Sequence, residues 1–352
     1  MNMLPQATYD VFSVCNALVD ILVDVSDEEI RSFGLKKGHM HLLQEQQQRE
    51  LLGSLKDRPQ TIELGGASLN TIRALALLGH KTVFAGMVAH DNFGKKIKER
   101  MKQLSIHSFL HDSDLESTGT CLVLVTPDSE RTMNTYLGVS RLFNKSILPE
   151  KQLSESKILH ISGYQWDTAA QKETVLRAIA VAEEHGCLIS FDLADPFVVG
   201  AHREDFINLI KNHADIVFAN KEEASLLFDR SPEETAHKIA ETCSLAVIKL
   251  GGAGALVQIG HPKKHKKAVQ INLSQLSSTD QKTLRIAPVP TTVVDSTGAG
   301  DMFAAGFLHG ILSSQSIDRC GKMGASLASD VISRYGARLS EKIIQDIRST
   351  QL

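Results

Sequence analysis

Cysteine, aromatic residues and any excess of charge of one sign are all scarce in this sequence. The five Cys stand at positions 15, 121, 187, 243 and 320 of a 352-residue chain. They form no CxxC pair and have no nearby His at zinc-ligand spacing, which argues against a disulfide framework or a structural zinc site. Lys and Arg total 38 against 41 Asp and Glu, a formal net charge of -3. So even a balance gives no electrostatic case for a nucleic-acid or membrane partner. No stretch approaches the roughly 18 apolar residues of a membrane span; VFSVCNALVDILVDV is interrupted by Asn16, Asp20 and Asp24. The start, MNMLPQATYD, has no basic head followed by an apolar run, so no secretory signal is visible. A reduced, soluble cytoplasmic protein is the expectation.

With 42% hydrophobic and 22% charged residues, the chain suits a packed globule. Its length fits about two folding units, or one large α/β domain carrying an elaboration. Short β-branched runs alternate with segments of helical period, the signature of a mostly parallel, doubly wound sheet covered on both faces. Core strands are expected at 10–14, 81–87, 157–161, 187–193, 215–219, 245–250 and 255–259. Between them, SLNTIRALALLG reads as a helix capped by Ser68 and stopped by Gly79, and TAAQKETVLRAIAVAEEHG as one stopped by Gly186. Residues 16–60 and about 105–140 break the alternation. The second contains TGTCLVLV and TMNTYLG around TPDSER, which predicts an antiparallel hairpin. Together the two stretches predict a small, discontinuous β-sheet standing over the α/β core as a lid. The lysine run Lys263 to Lys267 has nothing aromatic interleaved and reads as an exposed insertion.

The most informative stretch is VPTTVVDSTGAGDMFAAGFLHGIL, residues 289–312. A β-run leads to Asp295, a glycine turn follows at Gly298 and Gly300, and Asp301 opens an apolar helix. Glycines at a helix start let backbone N–H groups approach an anion, and the helix dipole favours negative charge there. In isolation, a Gly-x-Gly-Asp is as readily a tight turn with an acidic first-turn residue. Beside a phosphate cradle, however, a carboxylate is repelled unless it has another task, and accepting a hydroxyl proton is one. No GxxxxGK(S/T) occurs, and no HRD with DFG, so neither a P-loop nor a protein-kinase scaffold is present.

The segment DSTGAGDMFAAGF, 295–307, closely resembles the C-terminal signature of the ribokinase-like (PfkB) family of carbohydrate and nucleoside kinases. ELGGASLNTIRALALLG, 63–79, resembles that family's N-terminal glycine-rich signature. The resemblance spans nearly the whole chain, implying one ribokinase-like domain over 1–352, with ATP as donor, Mg2+, and an alcohol acceptor. It makes Asp301 the general base and the amides around Gly298, Ala299 and Gly300 the anion hole. Asn220 and Glu223 match the N-x-x-E element that organises Mg2+ and phosphate through water; alone, N-x-x-E would read as a helix cap. KLGGAGA, with Lys249, Gly251, Gly252 and Gly254, matches the nucleotide-side strand and turn. Asn16, Asp20, Gly65, Gly66 and Asn70 are the positions implied to contact the acceptor. Asp295, Thr297 and Ser340 match a monovalent-cation site, such as K+, used by part of the family.

CNALVDI, FDLADPF and ASDVISRYGA tilt the resemblance toward the adenosine-kinase-like branch, with Cys15 in place of its usual Gly. Leu18, Tyr136, Tyr164 and Trp166 are candidates to flank a base, although any could be core. Three readings remain: a nucleoside kinase, a kinase of a free sugar, and a non-catalytic sensor of either. A NAD-dependent dehydrogenase would need G-x-G-x-x-G after the first strand, and none is there. Monomer and homodimer stay equally open.

Overall fold

The computed structural model describes residues 7–261 and 282–349; the lysine run at 263–267 lies outside the described residues. In chain order the strands are β1 (Tyr9–Val14), β2 (Leu18–Asp24), β3 (Met40–Leu42), β4 (Thr61–Gly65), β5 (Thr82–Ala89), β6 (His107–Ser113) and β7 (Thr118–Val125). They continue with β8 (Arg131–Gly138), β9 (Ser156–Ser162), β10 (Leu188–Asp192), β11 (Ile216–Asn220), β12 (Leu245–Lys249), β13 (Ala255–Ile259) and β14 (Thr283–Ile286). Nine form a large sheet in the order β14-β13-β12-β11-β10-β9-β1-β5-β6, and five a small one in the order β3-β8-β7-β2-β4. Among the described strands of the large sheet only β13, next to one edge, runs opposite to the rest, antiparallel to both β12 and β14.

Side-chain alternation explains why the large sheet is covered on both faces. Val11, Ile158, Leu188, Phe218 and Val247 point into one apolar layer, walled by helices that include Ala67–Leu77, Ala299–Leu312 and Ile317–Ile332. Their neighbours Phe12, Leu159, Ile189, Val217 and Ala246 point into the other, walled by helices that include Ala169–His185 and Pro196–Asn212. Burial on both faces yields the continuous apolar strands from which a parallel sheet was inferred. Thr168 caps its helix by accepting from the Gln171 amide, and Gly186 closes it in the left-handed conformation at φ 72°.

Four expectations change. The 105–140 stretch is split: β6 runs parallel to β5 at the edge of the large sheet, and only β7 and β8 join the small one. As an exposed edge strand reading HSFLHDS, β6 carries too few apolar residues to declare its partner. The small sheet also takes in β4, beyond residue 60, while 16–60 contains helices at Asp27–Ser32 and Glu45–Ser54. Residues 289–295 form no strand; Val289 and Val293 are exposed, and the segment is tied down by the Val294 amide donating to the Ile332 carbonyl. Ser68 does not cap its helix, which starts earlier at Ala67 behind Gly66, leaving Ser68 buried inside it. Among the described residues, no helix is long and apolar enough to cross a membrane.

Candidate active site

The chain leaves β1 toward β5 on one side and takes up β9 on the other, so the sheet has a switch point beside β1. Ligands of open α/β sheets bind outside the carboxyl ends of the strands at such a point. A cavity of about 980 Å³ lies there. Its floor is made by residues at or just beyond successive strand ends: Asn16 after β1, Tyr164 after β9, Asp192 in β10, Asn220 in β11 and Lys249 in β12. The small sheet supplies an opposing wall that includes Leu18, Met40, Val123, Met133 and Leu137.

Gly298, Ala299, Gly300 and Asp301 all line this cavity at the start of helix Ala299–Leu312. Gly298 is left-handed at φ 73°, turning the chain into the helix. The first helical bond runs from the Met302 amide to the Gly298 carbonyl, and the Ala299 amide donates to Ser296 at 3.3 Å. Among the described residues the amides of Gly300 and Asp301 have no partner and stand as free first-turn donors. Asp301 accepts from Asn70 Nδ2 at 2.9 Å, and its carbonyl accepts from the Thr71 hydroxyl at 3.2 Å. Burial pushes its carboxyl up to about 7; Asn70, Lys249 and Arg73 pull down, while Asp192 pushes further up. A carboxyl that titrates near neutrality is poised for proton transfer.

Asp20 projects into the same cavity from β2 with no hydrogen-bond partner among the described residues, although it is 8% exposed. Burial raises it also to about 7, with Asp301 and Asp295 repelling it and Arg73 and Arg131 opposing the rise. Gly65, which pairs with Leu18 across β2–β4, lies diagonal to it: a side chain there would run into the Asp20 carboxylate. Gly66, at φ 103°, would likewise drive a side chain into the Asn16 carbonyl. Backbone approach and a positive φ thus require glycine at 66, while at 65 a side chain would displace the Asp20 carboxylate. Asn16 is committed structurally, accepting from Gln171 at 2.7 Å and donating to the Tyr164 carbonyl at 3.4 Å. Asn70 keeps its side-chain oxygen buried and unpaired while its nitrogen holds Asp301.

On the other side, Lys249 Nζ donates to Asp192 at 2.9 Å and sits 3.0 Å from where a side chain on Gly300 would begin. Burial alone would lower its pKa, but Asp192, Glu223 and Asp301 outweigh that and raise it. Asn220 and Glu223 form a reciprocal capping box. Asn220 accepts from the Glu222 and Glu223 amides at 2.8 Å, and its own amide donates back to Glu223 at 2.8 Å. Burial holds the Glu223 carboxyl above the usual range. The cap reading of N-x-x-E is thus realised, within a box that also lines the cavity. Gly251 and Gly252 have open space around them beside the cavity, as an approaching ligand needs. Gly254, at φ 85°, is fixed instead by the Ile286 carbonyl of β14.

Asp295 and Thr297 come together, but Ser340 does not join them: it bonds Asp330 and caps the following helix. One Asp295 oxygen accepts from the Thr297 amide at 2.9 Å and its hydroxyl at 2.5 Å, the other from the Gly336 amide at 2.8 Å. Arg131, at the start of β8, donates to Thr297 Oγ1 at 2.9 Å and Ser296 Oγ at 3.1 Å, with its Nε 3.4 Å from Asp295. Among the aromatic candidates only Tyr164 lines the cavity, along with Leu18. Trp166 is core, edge-on to Phe206 at 5.3 Å, and Tyr136 bonds Glu116.

Sequence reasoning missed Arg73, Arg131 and Asp192. Arg73 carried a signal: it lies three residues after Asn70, on one helix face within an apolar run, where a charge needs a partner. It is 5% exposed and donates to the Ala337 carbonyl. Asp192 stood in FDLADPF, and the left-handed Ala194 (φ 76°) brings its amide back to that carboxylate at 3.1 Å. Arg131 had no local signal.

A doubly wound sheet with a small second sheet facing its carboxyl edge, and a carboxyl at a glycine-turned helix start between them, defines a ribokinase-like fold. The pfkB family carbohydrate kinase domain matches residues 28–344, and the chain belongs to that family. It is therefore a phosphotransferase with a hydroxyl acceptor. The adenosine kinase from Sinorhizobium meliloti is similar at 31% identity, with 98% of this chain and 100% of that one covered and a TM-score of 0.86. A probable sugar kinase protein from Rhizobium etli CFN 42 matches at 30% identity, 98% and 99% coverage and a TM-score of 0.87. The 5-dehydro-2-deoxygluconokinase of Listeria monocytogenes serotype 4a (strain HCC23) is 25% identical, over 78% of this chain and 82% of its own. The likeness to adenosine kinases supports the adenosine-kinase-like branch, while the acceptor stays between nucleoside and sugar.

Proposed function

We propose that the protein transfers the γ-phosphoryl group of ATP, as its Mg2+ complex, to a primary hydroxyl of a nucleoside such as adenosine or of a related pentose compound. The observation that carries this reading is Asp301: a carboxyl titrating near 7, held by Asn70, beside two unpaired helix-start amides. Asp301 orients the acceptor hydroxyl and takes its proton, late in a loose transition state. The Gly300 and Asp301 amides receive the charge that develops on the transferring group, and Lys249 adds a fixed positive charge beside Gly300. Asp20, unpaired on the facing sheet, is suited to accept hydrogen bonds from vicinal hydroxyls. Asn220 and Glu223 would meet the Mg2+–nucleotide through water, since both Glu223 oxygens already bond Asn220. Among the described residues, no group of three or more His, Cys, Asp or Glu could hold a metal directly.

The small sheet acts as a lid that closes on the acceptor and excludes water. Its apolar wall across from a polar floor suits a ligand with a flat apolar half and a hydroxylated half, which favours a nucleoside. The sugar reading draws support from the similar sugar kinases. A coupled ADP-release screen over adenosine, inosine, guanosine, ribose and fructose separates the two, and turnover of hexose alone would overturn the nucleoside reading. No turnover of any acceptor would leave the sensor reading, against which Asp301 and its donors weigh.

A further inference from the structure

The family resemblance implies a monovalent cation beside the catalytic turn, at Asp295, Thr297 and Ser340. These residues do not fit one. Ser340 is engaged with Asp330. Asp295 is 1% exposed and already accepts three hydrogen bonds. The remaining approach is filled by Arg131, whose guanidinium reaches Asp295, Ser296 and Thr297 at once.

We propose that the Arg131 guanidinium, delivered by the small sheet, takes the place of the monovalent cation at the Asp295–Thr297 turn, so that phosphoryl transfer by this protein needs no K+. A potassium ion beside an acidic turn supplies one positive charge and holds the surrounding oxygens in place. The guanidinium supplies the same charge with a planar fork of donors and is always protonated. A second cation beside it would meet like-charge repulsion at a carboxylate whose two oxygens are both already engaged. The substitution has a structural consequence. The turn at 295–297 runs directly into Gly298 and the amides of Gly300 and Asp301. Its order therefore depends on β8, and the position of the small sheet is coupled to the anion hole. Arg131 acts here as a positioning residue.

The inference rests on the kinase reading, and two readouts keep their failures apart. Wild-type turnover of the acceptor found in the screen is measured at constant ionic strength in potassium, sodium and tetramethylammonium chloride. The expected rates agree within about twofold, and Arg131→Lys, which keeps a cation on the same strand, stays equally indifferent to the salt. Arg131→Ala is expected to lose about tenfold or more in turnover and to regain part of it with K+ or added guanidinium, but not with tetramethylammonium. Thermal melting needs no turnover: K+ should leave the wild-type Tm where tetramethylammonium does, and raise that of Arg131→Ala. Wild-type activation by K+ of about tenfold, a wild-type Tm raised by about 4 °C in K+, or an Arg131→Ala defect equal in every salt and unrescued would each overturn the proposal.

Discussion

Replacing Asp301 by Asn separates the chemistry of this carboxyl from its place at a helix start. Asn keeps the size and can still receive the hydrogen bond from Asn70, but it cannot take a proton. If Asp301 is the general base, turnover falls by about 10² to 10⁴, while both substrates bind within a few-fold of wild type. The pH dependence sharpens the test. With the carboxyl at about 7, only about a tenth of the enzyme is deprotonated at pH 6 and about nine-tenths at pH 8. Wild-type kcat at saturating acceptor should therefore climb roughly tenfold between those values and level off above, and the residual kcat of Asp301→Asn should lack that limb; a limb in kcat/KM alone could also come from Asp20.

The same shift sets the stability of the variant. Between about 4 and about 7 the folded state holds a proton on Asp301 that the unfolded chain has released, so wild-type stability falls as pH rises through that window. At about 1.4 kcal/mol per unit the shift caps the penalty near 4 kcal/mol, and partial access to the cavity lowers it to roughly 1 to 3. Asn carries no such penalty. Asp301→Asn should accordingly be more resistant to urea than wild type at pH 8, with the gap closing as pH falls toward 4. A variant that keeps more than about a tenth of wild-type turnover, or retains in kcat at saturating acceptor the limb near pH 7, refutes the general-base assignment.

Three further outcomes follow from the geometry. Asp20→Ala should raise the acceptor KM by an amount worth about 2 to 4 kcal/mol, with the nucleotide constant nearly unmoved, because the unpaired carboxylate stands on the acceptor side; initial-rate kinetics in both substrates decides it. Glu223→Gln loosens the capping box at a cost of about 0.5 to 2 kcal/mol. It should also move the Mg2+ dependence of the rate to higher concentration, whereas a lowered Tm with an unmoved Mg2+ curve would leave Glu223 as a cap only. Amide exchange across β7 and β8 should slow more with adenosine than with ATP alone or with ribose; protection by a hexose alone would contradict the nucleoside reading.

Both the large sheet and the glycine turn at the helix start were legible because each is written locally. Seven of the core strands read as apolar runs, since a strand buried on both faces has little choice of residue. The Gly298–Asp301 turn declared itself because left-handed backbone and an anion-facing helix start both need glycine. What escaped depends on distant partners. The edge strand His107–Ser113 is defined by pairing with β5 and not by its own pattern. The β-prone VPTTVVD runs as an irregular segment because its amides find the Ile332 carbonyl and no strand. Gly65 was singled out only through the resemblance, and its closeness to the Asp20 carboxylate arises across a strand pair that no spacing rule announces. Arg131 lies 164 residues before Asp295, and only the fold brings them together.

The cavity gathers Asp20, Asp192, Glu223 and Asp301 around a site that must receive a polyanion. Such a gathering is unfavourable alone: burial raises Asp20 and Asp301, and repulsion from neighbouring carboxylates adds to the rise in each. Three cations compensate, each from a different element: Arg73 between Asp20 and Asp301, Lys249 on Asp192 next to Gly300, and Arg131 on the turn before the anion hole. Arg73 and Lys249 come from the α/β core, but Arg131 comes from the small sheet. Withdrawal of that sheet would remove one positive charge from the turn and the Asp20 carboxyl from the cavity together. On the proposed reading, a charge balance complete only with the small sheet in place keeps the phosphoryl group for a hydroxyl, because water reaching an open cavity would meet an unfinished anion hole.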